Sequence, residues 1–231
     1  MGNKLIIVML SVVFAFVSNV GLSQYSLGGG FSTFHGANIP INRFGLNAFV
    51  ELPQSNDVTL LVRAAFMFPE KDSRTTDIEA IGFGITPTKT EADIIAKTSY
   101  FAIDGGTRTY FINDYDVGLS VFAGGHLKGI LASYSVDFRV PDGLDPNDYQ
   151  TIPDVAGAQS QPLSGVSPQY ALLFAFGATV GVKYQLPYRG ALMFDFGLEL
   201  ITSLHDPYSI LGNDISPLSF SFNFGYRFDW Y

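Results

Sequence analysis

The strongest constraint on this chain lies in its last fourteen residues, which alternate between apolar and polar side chains. Leu218, Phe220, Phe222, Phe224, Tyr226, Phe228 and Trp230 occupy every second position, and Ser219, Ser221, Asn223, Gly225, Arg227 and Asp229 fall between them. An extended strand has a side-chain period of two, so this segment presents a wall of aromatics on one face and small or charged groups on the other. A sandwich would bury the aromatic face against a second sheet. A membrane barrel would turn it to lipid and enclose the polar face.

Composition favours the second arrangement. Only 15% of residues are charged, against about 25% in soluble domains, while 47% are hydrophobic and 15% aromatic. A net charge of −8, with no basic stripe, excludes a nucleic-acid partner. The absence of cysteine excludes disulfides, thiolate metal sites, thiol catalysis and a lipid-modified N-terminal cysteine. The N-terminus has the layout of a secretory signal: Lys4, an apolar run from Leu5 to Val17, and small residues at Gly21 and Ser23. The expected division is a signal peptide over 1–23 and a single barrel domain over 24–231. The apolar run is short for a membrane span, and beyond it no stretch reaches 18 apolar residues. Only helices and closed barrels satisfy their backbone groups in lipid, so an exported chain of this composition points to a barrel.

The alternation predicts eight antiparallel strands in an up-and-down meander, over 24–35, 42–52, 58–68, 98–112, 117–140, 169–185, 191–203 and 218–231. The connections at 53–57, 113–116 and 187–190 are short and turn-rich. Those at 36–41, 69–97, 141–168 and 205–217 are longer. This strict alternation matches a barrel with short periplasmic turns, longer extracellular loops and both termini periplasmic.

With these features in place, the chain resembles the small eight-stranded outer-membrane barrels of the OmpA/OmpX type, in the broad family common in Bacteroidetes. Asn223, Gly225, Phe228 and Trp230 match the spacing of that family's C-terminal assembly signal. The resemblance implies that the barrel-assembly machinery reads this strand and that outer-membrane lipids surround the finished barrel. The Gly-Leu-Ser-Gln junction also looks like a cleavage site of that group. One departure is Tyr231, which follows the final outward aromatic.

The inward positions carry Arg43, Glu51, Arg63, Asp104, Arg108, His126, Lys128, Lys183, Asp195, Glu199, Arg227 and Asp229. An eight-stranded barrel is just wide enough for side chains to fill. The expected arrangement is therefore a salt-bridged plug; a narrow ion path built from some of these pairs ranks below it, and a porin-sized pore needs about twice as many strands. A lipid-modifying site would need histidine, serine and an acid near the outer leaflet. His35 and His205, with Ser32, Ser203, Ser209 and Asp206 nearby in sequence, form no motif, and the three histidines lack metal-ligand spacing. No cofactor or metal is expected. The segments 69–97 and 141–168 are acidic without EF-hand spacing, and are the expected contact with an envelope partner. Within the first, Ile81 to Ile85 is an apolar run in a polar loop, which suits a hairpin strand, a lid or a partner contact. The expected role is structural, or that of a surface interaction or adhesion module. The alternative is a barrel component of a secretion or motility machine, with a channel or enzyme ranked last.

Overall fold

The structure is a computed structural model that describes residues 25–37, 42–114, 116–152, 160, 162–163, 166–187, 190–203 and 216–230. The expected signal peptide, His205, Asp206, Ser209 and Tyr231 lie outside the described residues. The chain forms nine strands: β1 (Tyr25–Gly36), β2 (Asn42–Pro53), β3 (Val58–Ala80), β4 (Lys89–Asp114), β5 (Leu119–Arg139), β6 (Tyr149–Thr151), β7 (Val166–Leu186), β8 (Gly190–Ser203) and β9 (Leu218–Trp230). Each pairs antiparallel with its neighbours. Strand β9 returns to β1, from Tyr25 opposite Trp230 to Gly36 opposite Ser219, and closes eight strands into a ring. A closed ring leaves no unpaired edge along its wall.

The alternation sorts residues between the two faces. Along β2, Phe44, Leu46 and Ala48 point out while Arg43, Asn47, Phe49 and Glu51 are buried inside. Along β9, Phe222, Phe224, Tyr226 and Phe228 are exposed while Ser221, Asn223, Arg227 and Asp229 are buried. Leu52 departs from the pattern: it continues the outward row of β2 yet is buried. The outward aromatics pack side by side across strands. Phe44 stacks on Phe31 at 5.5 Å and lies 6.0 Å from Phe68; Phe222 lies 5.2 Å from Phe196 and 6.2 Å from Phe194. Such cross-strand pairs stabilise the ladder beyond its hydrogen bonds.

The ring is narrow, so large inward side chains require small ones opposite. Phe49, Leu61, Tyr110, Phe122 and Met193 fill the half of the lumen nearest the short turns. A Cβ on Gly28 would collide with the Phe49 ring, and one on Gly181 with the Phe122 ring and the Phe194 carbonyl. Glycine at these positions is what admits the two rings.

Most of residues 69–97, expected as a loop, is strand: 69–80 belongs to β3 and 89–97 to β4, with a turn between them. The β3–β4 ladder slips at Met67 to Glu70, around Pro69, and then resumes from Glu70 opposite Thr98 to Glu79 opposite Lys89. Proline cannot donate to a ladder, which is why a register shift sits there. Ile81 to Ile85 falls in the turn between the two arms, and Phe83 is fully exposed at its tip. The arm of β4 continues onto β5 through Asp93 opposite Arg139, and the 141–168 segment contributes β6, which pairs with Ile78–Ala80 of β3. The result is a four-stranded wall standing beyond one side of the ring. Ile78, Ala92, Tyr149 and Leu163 form its own small core, and the Tyr149 hydroxyl donates to the Pro87 carbonyl at 3.1 Å.

Candidate functional site

The lumen is built in layers that follow from strand register. Residues opposite one another on neighbouring strands share a level, so inward side chains from several strands meet there.

Nearest the short turns, Glu51 receives the Tyr110 hydroxyl and the Thr59 hydroxyl, each at 2.7 Å, on Oε1. Arg227 Nη1 donates to its Oε2 at 2.7 Å. Arg227 also donates through Nη2 to Asp229 at 3.1 Å, and Asp229 accepts from Ser26 at 2.8 Å and Gln185 at 3.2 Å. Lys183 stands over the Tyr110 ring at 4.4 Å. A cation over an aromatic face gains from the ring quadrupole.

One level on, Asp195 is the hub. It accepts from Arg63 Nη2 at 2.6 Å, Arg108 Nη2 at 2.7 Å and Asn223 at 2.7 Å. Arg108 Nη1 lies 3.9 Å from Glu51, and its guanidinium lies 4.4 Å from the centre of the Phe122 ring. Arg108 therefore links this level to the one below. Asp104 lies 4.0 Å from Arg63. Beside this hub, Glu199 is paired with Lys128, lies 3.4 Å from His126 Nε2 and accepts from Ser221 at 2.9 Å.

Eleven of the twelve inward groups named from the sequence thus lie in these levels. Arg43 does not. It sits at the other end of β2, paired with Glu70 at the base of the wall and 5.6 Å from the Tyr100 ring centre. Tyr110, Thr59, Ser221, Ser26 and Gln185 complete the network, which the sequence reading draws from charged side chains and histidine. Their parity places them inward, but a neutral hydroxyl or amide carries no sign in the sequence that a buried carboxylate stands opposite.

Buried charges cost little only when paired and hydrogen-bonded. Here Arg63 and Asp195 are 6% and 3% exposed, and each carboxylate at the hubs holds two or three donors. Such an arrangement cross-links strands that are distant in sequence. Above it, on the side of the wall, the lumen turns apolar: Phe34, Met67, Tyr100, Ile130 and Leu173 enclose it together with several alanines.

The remaining candidates are scattered. His35 faces outward, stacked on Phe220 at 5.1 Å, with its ring nitrogens 2.7 Å from Asn42 Oδ1 and 2.9 Å from Thr33 Oγ1. Ser32, nearby in sequence, faces the lumen and bonds Asn223 at 2.6 Å. No cluster of three metal-ligating side chains occurs among the described residues. Of the four residues of the C-terminal spacing, Asn223 and Gly225 face in and Phe228 faces out, while the Trp230 side chain lies outside what is described.

No family model and no curated protein matches the chain. Among solved structures, it is similar to Neisserial surface protein A, with 13% identity, 90% of this chain and 96% of that chain covered, and a TM-score of 0.47. It is also similar to the attachment invasion locus protein Ail of Yersinia pestis in complex with the heparin analogue sucrose octasulfate, at 11% identity, 90% and 97% coverage and a TM-score of 0.44. A third is a major outer membrane protein from Thermus thermophilus, at 10% identity, 89% and 99% coverage and a TM-score of 0.46.

Proposed function

We propose that this chain is an integral outer-membrane barrel whose ring is a rigid anchor and whose one-sided wall is a surface interaction module. The observation that carries this reading is the combination of a closed ring, apolar outside and salt-bridged inside, with strands β3 and β4 running on well past it. The ring's outer face suits hydrocarbon: Leu127 is 71% exposed and Phe176 51%, which in water would be an apolar belt with nothing to cover it. The closely spaced, paired charges across the lumen support an anchoring role rather than a large aqueous path.

The wall has its own core and a mixed-charge, mainly acidic surface, and it ends on Ile81 and the fully exposed Phe83. A stiff projection with an apolar tip suits contact with a macromolecular partner outside the cell. In this reading the termini and short turns are periplasmic, residues 1–23 are removed on export, and Asn223, Gly225, Phe228 and Trp230 are read by the assembly machinery.

A photo-crosslinking amino acid at Phe83 tests it, compared with one at Ser55 in a short turn. Crosslinks from Phe83 to an external protein or glycan, with none from Ser55, support a surface module. Stoichiometric crosslinks from Ser55 to an envelope protein would favour the alternative, a barrel subunit of a secretion or motility machine. Replacing Phe228 and Trp230 with alanine should lower the yield of folded barrel in cells while refolded protein keeps its stability.

A further inference from the structure

Glu199 holds all its donors on one oxygen. Lys128, the Ser221 hydroxyl at 2.9 Å and His126 Nε2 at 3.4 Å approach Oε1. Its Oε2 is buried and has no hydrogen-bond partner among the described residues. The Glu199 side chain is 0% exposed and that of His126 10%. His126 Nε2 stands near Oε1 without being hydrogen-bonded to it, and Arg63 Nε and Arg108 Nε are also unpartnered. Buried polar atoms are bonded to protein or to ordered water in nearly every case, so a cluster of orphans in one place calls for an explanation.

These four side chains, with Asp104 and Gly197, line one space of about 20 Å³ that touches both the Glu199 cluster and the Asp195 hub. A buried water needs about 10–15 Å³ and two to four polar partners. The space therefore suits one water and nothing larger. Its charges disfavour an ion. Arg63, Arg108 and Lys128 stand around it with Asp104, Asp195 and Glu199, so an ion of either sign meets three like charges. Water both donates and accepts, which matches an orphaned carboxylate oxygen beside orphaned N–H groups. Gly197 keeps the space open: a Cβ there would lie 2.8 Å from Ser221 Oγ, 3.4 Å from Glu199 Oε1 and 3.6 Å from His126 Cε1. Among the described residues no hydrogen bond or ion pair joins the Glu199 cluster directly to the Asp195 hub.

We propose that this space binds one ordered water, which donates to Glu199 Oε2, accepts from the Arg63 guanidinium and has His126 Nε2 as its third partner. A bridging water is nearly as good as a direct hydrogen bond. It makes one network of two clusters that the side chains alone leave separate, and ties β3, β5 and β8 together across the lumen. The proposal does not depend on what the wall binds.

High-resolution crystallography of the full barrel tests it. One peak of ordered density is expected within hydrogen-bond distance of Glu199 Oε2 and of Arg63 or His126. Crystals soaked in rubidium bromide should show no anomalous signal at that peak; a signal would mean an ion and would overturn the proposal. Gly197→Ala places a methyl group in the space. Its crystals should lose the peak, while the boiling-dependent gel shift shows that the ring still closes. The wild-type density decides the matter alone should that variant fail to fold. Glu199 Oε2 bonded directly to a protein donor with no peak beside it, or a peak that persists unmoved in Gly197→Ala, overturns the proposal.

Discussion

Arg227 on the last strand donates to Glu51 on the second across the barrel seam at 2.7 Å, joining residues 176 positions apart. Glu51 also receives Tyr110 and Thr59 and faces Arg108. Its replacement by alanine leaves two buried guanidinium groups short of a partner. Removing one member of such a pair costs about 3–5 kcal/mol. Glu51→Ala should lower unfolding stability by that amount in denaturant titrations of the lipid-reconstituted barrel. Glu51→Gln, which keeps an acceptor, should cost less.

The outward face carries a second prediction. Phe176→Arg should destabilise the barrel by about 2–4 kcal/mol if the residue lies near the bilayer midplane. At Thr179, whose hydroxyl donates to the Phe196 carbonyl at 3.2 Å, arginine should respond to space and pairing instead. Equal tolerance of arginine at Phe176 in water and in lipid would remove the membrane assignment.

Gly28→Ala drives a methyl group into the Phe49 ring, and the three nearest atoms are all on that ring. The expected loss is about 1–3 kcal/mol from overpacking. Because the obstacle is a side chain, Phe49→Leu should restore much of it. A double-mutant cycle would show the coupling, whereas simple additivity would mean that the ring does not set the requirement.

The wall should melt on its own. Tyr149→Ala removes a fully buried ring from a core shared by Ile78, Ala92 and Leu163. Protease cleavage within 141–163 should rise sharply, while the boiling-dependent gel shift of the ring stays unchanged. Local opening of a satellite core need not reach the main fold.

The ring was legible because one side of it is apolar: alternation in 42–52, 169–185 and 218–231 marks strand, face and register at once. The wall was not. In Glu70-Lys71-Asp72-Ser73-Arg74-Thr75-Thr76-Asp77 both faces are solvated, so no hydrophobic period survives, and Pro69 reads as a stop. The only hints were the threonines and the later Ile94–Ile95, which favour strand by propensity. In the lumen, charged residues advertised themselves. Tyr110 and Thr59 did not, because an inward neutral side chain looks the same whether or not a carboxylate stands across from it. Arg43 shows the limit of parity, which assigns a face but not a level along the barrel axis.

Strands of unequal length reopen a problem that ring closure removes. Where β3 outruns β2, its backbone groups have no neighbouring strand on that side over much of their length among the described residues. Among the described residues, β6 covers only Ile78 to Ala80. Any tendency of this protein to stick to itself or to other extended chains is thereby shifted away from the ring, onto the rim of β3 from Glu70 to Thr76 that no described strand covers. Sheet extension by a foreign strand would have to begin there.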